Sequence, residues 1–164
     1  MTEPSYANTP SLPLGEGESV RASFGADRDI YLRDHLRLAA VAMALGMGVL
    51  WVLDNPHLWT GAVGGLAAVA LRGWFVSSDE FAVRWDLTNR RLLGPGTRAV
   101  ALGQIKAINV LGSAVQVVTH AGDKHLLKYQ KDRDETRRLI LDAQAALAKD
   151  AEGAEGSDTG LNDG

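Results

Sequence analysis

FAVRWDLTNRRLL, Phe81 to Leu93, is the stretch on which the reading of the chain turns. Phe81, Val83, Trp85 and Leu87 share one parity, and Ala82, Arg84, Asp86 and Thr88 share the other. That alternation predicts a half-buried strand over Phe81–Leu87, with Trp85 and Leu87 in a core and a turn at Thr88-Asn89. Two apolar segments stand directly before it. Leu36–Leu53 carries no charge after Arg37, and Leu58–Val76 carries only Arg72. As helices they would rise roughly 27 to 29 Å, close to the ~30 Å of a bilayer's hydrocarbon core. Asp54-Asn55-Pro56-His57 between them allows only a tight antiparallel turn.

Other features agree with a membrane hairpin. Trp51 and Trp59 flank the turn and Trp74 lies at the opposite end, positions that suit the headgroup interface. Ala40, Ala44 and Gly48 recur every four residues, as do Gly61 and Gly65, and such small faces let helices approach closely in lipid. Arg28, Arg33 and Arg37 precede the first span, Arg72, Arg84, Arg90 and Arg91 lie at or after the end of the second, and the turn has no Lys or Arg. The positive-inside rule then expects both termini in the cytoplasm, with Arg37 and Arg72 snorkelling to one interface. A cleaved leader is disfavoured, because Leu36 lies far from the first residue and no small-residue cleavage site precedes a mature chain. The alternative is a soluble α+β binding module whose helical hairpin is buried in its own core.

Composition sets outer bounds. The 164 residues are 46% hydrophobic and 23% charged, which suits one modest domain with appendages. There is no cysteine, so disulfides, thiolate metal sites and cysteine nucleophiles are excluded together. Charge is segregated: from Arg72 to Ile140 twelve Lys/Arg stand against seven Asp/Glu, a net of +5, with acidic stretches on either side. The middle region favours an anionic surface, and nothing marks it for nucleic acid.

Past Ser77 the period is two, in short runs divided by turn residues. After Phe81–Leu87 the strand candidates are Arg91–Leu93, Arg98–Leu102, Lys106–Leu111, Ala114–His120 and Lys124–Tyr129, a meander of antiparallel hairpins. A helix follows, with Asp132 as N-cap, Glu135 three residues on, and Leu139, Ala143 and Leu147 as its apolar stripe. The domain boundaries expected are an N-terminal cytoplasmic segment 1–35, a two-helix transmembrane hairpin 36–76, a small antiparallel domain 77–149 and a disordered acidic tail 150–164. The fold class expected is an α+β membrane protein, in which a curved sheet or small barrel is capped by the C-terminal helix.

The runs WDLTNRRLL, RAVALGQIKAINV and VQVVTHAGDKHLLKY, with RRLI in the closing helix, resemble the bacterial pleckstrin-homology-like domain of small membrane proteins. LPLGEGESV, Leu12 to Val20, resembles the acidic lead-in that often precedes the two spans of that family. The resemblance covers roughly 12–147, and Leu87–Leu92 is its most specific part. Six strand candidates fall one short of the seven in a full pleckstrin-homology fold. The resemblance implies a non-enzymatic binding or scaffold protein of the bacterial inner membrane, with anionic lipids of the cytoplasmic leaflet and a membrane-protein partner or a second copy as its partners. A narrower form is an assembly factor for a membrane complex, since proteins that aid photosynthetic-complex assembly are similar.

Arg90, Arg91, Arg98, Lys106, Lys124 and Lys128 are the candidate lipid or partner contacts, as a basic rim worth roughly 1 kcal/mol per residue near an anionic surface. The plain alternative is a set of solvated positions, with Arg90-Arg91 supporting the turn. His120 and His125 flank a loop with Asp123, too few ligands for a metal site. No catalytic residue and no cofactor is expected: Ser77 and Ser113 have no His and Asp converging on them, and GEGES is not followed by the helix a phosphate loop needs.

Overall fold

Helix α1 (Arg28–Val52) starts where Asp27 caps it, its carboxylate accepting from the backbone N–H of Asp29 at 2.9 Å and of Ile30 at 3.1 Å. It stops at the Asp54-Asn55-Pro56-His57 turn. There Asp54 takes a left-handed φ of 53°, and Asn55 Oδ1 accepts from the His57 N–H at 2.8 Å. Helix α2 (Leu58–Ala82) then returns the chain, and both helices are 25 residues long. A computed structural model describes residues 8–158 of the protein.

Both helices outrun the apolar spans read from sequence, mainly at the ends away from the turn. The reason is visible at Phe81, expected in a strand. Its ring meets Tyr31 edge-on at 4.9 Å, and the Arg28 guanidinium lies 5.5 Å from its centroid. These contacts with the first turns of α1 hold Phe81 in the helix, so the strand begins only at Arg84.

The two helices meet through small residues. A Cβ placed on Gly61 would collide with the backbone of Gly46, and one on Gly65 would lie 2.6 Å from the Ala42 carbonyl. Gly61 and Gly65 therefore sit in the contact as expected. Ala40, Ala44 and Gly48 do not: Ala40 and Ala44 are exposed, and a Cβ on Gly48 would meet nothing within 4 Å. The α1 side of the contact runs through Ala42 and Gly46 instead. A shift of two residues turns the helix by about 200°, which leaves the Ala40 face uncovered by α2.

The remaining unit is formed by residues up to Ala26 together with those from Val83 onward. Its first strand is β1 (Val20–Gly25), which lies before the hairpin in sequence and is not among the six candidates. It pairs antiparallel with β2 (Arg84–Thr88), Gly25 opposite Arg84 and Phe24 opposite Trp85. Thus α1 and α2 are inserted between two neighbouring strands, and within the segment expected at 1–35, residues 20–25 belong to β1 and 28–35 to α1; 1–7 lie outside the described residues. β3 (Arg91–Leu93) and β4 (Ala99–Ala101) complete a four-stranded sheet in the order β1-β2-β3-β4. β5 (Ile105–Leu111), β6 (Ala114–Thr119) and β7 (Lys124–Leu127) form a second sheet in that order. The sheets do not join into a closed barrel.

Helix α3 (Arg133–Asp158) begins at Asp132, whose carboxylate accepts from the Glu135 N–H at 2.8 Å. It buries Ile140 and Ala143 against both sheets, with Leu139 and Leu147 at the margin. Gln144 Nε2 donates to the carbonyls of Leu102 at 2.9 Å and Ile105 at 3.2 Å, tying the helix to the corner where the chain passes from one sheet to the other. The helix continues through 150–158, part of the tail read as disordered; 159–164 lie outside the described residues. Leu87, Leu92, Leu102, Val115, Val117 and Leu127 fill the core between the sheets and α3.

Two outcomes are expected. In detergent, Gly61→Leu should lower the thermal unfolding midpoint, because overpacking a close contact costs about 1–3 kcal/mol, whereas Gly48→Leu should leave it nearly unchanged. A chain in which residues 26–83 are replaced by an Asn-Gly turn, joining Gly25 to Arg84, should fold as a soluble domain with cooperative melting, while a fragment starting at Ser78 should not. Circular dichroism melts of the two shortened chains decide the point.

Candidate functional site

The Leu-Thr-Asn-Arg-Arg turn and the Gly-Glu-Gly-Glu-Ser lead-in, far apart in sequence, are joined in the structure. The Glu18 side chain is only 2% exposed and receives a two-pronged pair from Arg91: Nε to Oε1 at 2.8 Å and Nη2 to Oε2 at 2.8 Å. The Gly15 N–H donates to Oε2 at 2.8 Å. The Thr88 hydroxyl lies 2.7 Å from Oε1 and 2.9 Å from the Arg91 carbonyl, two acceptors for its one proton, and itself accepts from the N–H groups of Arg90 and Arg91. Arg91 Nη2 also reaches the Pro13 carbonyl at 2.8 Å.

Asn89 completes the clasp. Its Oδ1 accepts from the Ser19 N–H at 3.0 Å, its Nδ2 donates to the Gly17 carbonyl at 3.1 Å, and its backbone N–H donates to the Ser19 carbonyl at 3.2 Å. The turn is therefore specific in sequence for a structural reason: each of Thr88, Asn89 and Arg91 satisfies polar groups of the segment that leads into β1. Arg91, one of the six candidate contacts, is committed to Glu18 here.

The electrostatics follow from this packing. The Arg91 guanidinium, aided by the Gly15 N–H and the Thr88 hydroxyl and opposed by burial, holds the Glu18 carboxyl down to about 2 from an ordinary 4.5. The same pair raises Arg91.

The other candidates separate into groups. Arg90 is exposed at the clasp turn, and Lys106 is exposed on β5. Arg98, Lys124 and Lys128 come together around a recess of about 430 Å³, lined also by Trp85, Asp123, His125 and Leu126. In the register of the first sheet Asp86 faces Leu93 and Leu93 faces Ala99. The Gly94–Arg98 turn thus lies at the Arg84 end of β2, and the clasp turn lies at the Thr88 end. A single continuous rim is not what these positions make.

Trp85 forms the floor of this arrangement. It is 3% exposed, lies edge to face with His125 at 5.9 Å between ring centroids, and packs its six-membered ring on Gly94, where any Cβ would collide with it. His125 is half-buried by that contact, while His120 is exposed and uses its backbone N–H on the Gln104 carbonyl. No group of three His, Asp or Glu side chains suited to a metal occurs among the described residues.

Sequence reasoning missed Glu18 as the partner of Arg91 and missed Trp85 as the neighbour of the basic residues. Val20, Ala22 and Phe24 alternate with Arg21 and Ser23, a strand signal that could have placed Glu18 at a sheet. Compared with protein-family models, with curated proteins and with solved structures, the chain matches none.

Because Glu18 is depressed in the folded state, its contribution to stability is complete above about pH 4.5 and is lost as the pH falls toward 2. The full-length chain should show an acid-labile unfolding midpoint in that window. Glu18→Gln should flatten this limb and lower the neutral-pH midpoint by roughly 5 °C or more, the scale of a lost charged hydrogen bond in a domain of this size. Thermal melts across pH provide the check.

Proposed function

We propose that the chain is a non-enzymatic, membrane-anchored binding or scaffold protein, in which a pleckstrin-homology-like unit is held at the cytoplasmic leaflet by the α1–α2 hairpin. The observation that carries this reading is how little protein covers the hairpin. Only 6% of the apolar window of each helix is buried, and Trp74 and Phe75 are 88% and 82% exposed. A soluble protein with a buried hairpin would cover those residues, whereas a bilayer covers them without further protein. Seven antiparallel strands and a closing helix support the resemblance to the bacterial pleckstrin-homology-like domain. The turn sequence on which that resemblance is most specific is also the one that clasps the first strand.

Insertion of the hairpin between β1 and β2 brings both of its polar ends to one unit, and this suits a topology with only the Asp54–His57 turn on the far side. The uncovered Ala40, Ala44 and Gly48 face supports contact with a membrane-protein partner or a second copy, since small residues permit close approach in lipid. Arg90, Arg98, Lys106, Lys124 and Lys128 are the positions from which the unit would meet anionic lipid or that partner. A role in assembling a membrane complex, photosynthetic complexes included, is the narrower form of this proposal and rests on the resemblance alone.

Alkaline carbonate should leave the full-length chain in the membrane pellet, and reporters fused at Asp54 and after Lys149 should report opposite sides. Release by carbonate, or a cytoplasmic signal from the Asp54 fusion, would overturn the anchored reading.

A further inference from the structure

We propose that the recess formed by Arg98, Lys124 and Lys128 over Trp85 binds a phosphate ester, supplied by the headgroup of an anionic glycerophospholipid. The proposal rests on the membrane-anchored reading for the source of the phosphate, and on the geometry of the recess for its chemistry. Arg98 and Lys124, with Lys128 beside them, line the recess together with one carboxylate, Asp123, so the charges of Arg98 and Lys124 alone exceed the acid in the lining. Trp85 adds an independent observation. Its Nε1–H is buried and has no hydrogen-bond acceptor within the protein among the described residues. An indole N–H is a donor only, and leaving it unmatched is costly. A ligand that meets this group must bring an acceptor oxygen, and one that also suits Arg and Lys must be an anion. The recess, at about 430 Å³, admits a glycerophosphate headgroup.

The strand register indicates where that phosphate comes from. Trp85 follows the last residue of α2 by three positions, and the Gly94–Arg98 turn lies at the same end of the sheet as Arg84 and Gly25. Those two residues are where the chain leaves for the hairpin and returns from it. In an anchored protein, residues so few positions from the end of a span are tethered by the chain within reach of the headgroup layer, where lipid phosphates are concentrated. Arg90 belongs to the opposite end of β2 and is not part of the recess.

The test uses the full-length chain in neutral detergent, with binding followed by native mass spectrometry and by the indole N–H resonance of Trp85. That resonance is assigned by its disappearance in Trp85→Phe. The probes are dioleoyl phosphatidylglycerol, dioleoyl phosphatidylcholine and glycerol 3-phosphate. Phosphatidylglycerol should bind one per chain in preference to phosphatidylcholine and should move the Trp85 resonance. Arg98→Gln with Lys124→Gln should weaken it by about tenfold or more through lost charge-assisted bonds. Arg137→Gln with Arg138→Gln, which removes the same charge from exposed positions on α3, should change it by less than about twofold. Both pairs are exposed, and an unchanged melting midpoint verifies folding. Equal losses in the two pairs, equal binding of the two lipids, or a Trp85 resonance that ignores the ligand would overturn the site. Glycerol 3-phosphate binding as tightly as the lipid would overturn the lipid source and leave a soluble phosphate ester as the ligand. Release of the chain by carbonate would instead count against the anchored reading, while phosphate binding at the recess was read separately.

Discussion

The structure depends on the pairing of β1 with β2 across an inserted helical hairpin. Gly25 and Arg84 are cross-strand neighbours, yet every residue of α1 and α2 lies between them. Closing so long a loop from a disordered chain would cost several kcal/mol, since closure entropy grows with the logarithm of loop length. Equal helices joined by a tight turn remove most of that cost. Two 25-residue helices, each rising 1.5 Å per residue, return the chain to the level from which it left. The small-residue contact of Gly46 with Gly61 and of Ala42 with Gly65 then holds the two polar ends close enough for the strands to register.

The Glu18 clasp fixes the far end of the same pair of strands. A buried carboxylate is costly unless each of its oxygens is engaged, and here Arg91, Thr88 and the Gly15 N–H engage both. Since β1 is an edge strand whose one neighbour in the sheet is β2, a register slip would remove Phe24 from the core and separate Glu18 from Arg91 together. The clasp and the alternation of Val20, Ala22 and Phe24 therefore specify one register between them. This also gives Arg90 and Arg91, adjacent in sequence, different duties. Arg91 is turned into the clasp, and Arg90 stays in solvent.

Two ends of one sheet thus carry two kinds of polar chemistry. At the Thr88 end Arg91 and Glu18 are paired and structural, and the depressed carboxyl of Glu18 reports that pairing. At the Arg84 end, Arg98, Lys124 and Lys128 line one recess with Trp85, whose buried indole N–H is unmatched among the described residues. A fold that satisfies its polar groups so fully at one end makes the unmatched donor at the other informative. Gly94 is part of the same arrangement, because only the absence of a side chain lets the β3–β4 turn lie against the Trp85 ring.

The sequence by itself determined the local elements: two long apolar helices about a Pro turn, an alternating meander after them, and a capped amphipathic helix at the end. These signals are short-range, set by hydrophobic period, by turn residues and by the Asp132 cap, so they can be read from neighbours a few positions apart. It also located Trp85 and Leu87 in the core and Gly61 and Gly65 in the helix contact. Tertiary structure alone decided that Val20–Gly25 belongs to the sheet on the far side of the hairpin, because strand pairing is made by partners that no local pattern names. It decided that Phe81 stays helical, since Tyr31 and Arg28 on another helix outweigh its alternation with Val83 and Trp85. It turned the α1 contact from the Ala40 face to Ala42 and Gly46, a choice between two small faces that only the partner helix can make. And it divided six basic residues, equivalent in sequence, into one that closes the fold with Glu18, three that line a recess with Trp85 and two, Arg90 and Lys106, exposed elsewhere, because charge has no direction until the chain around it is folded.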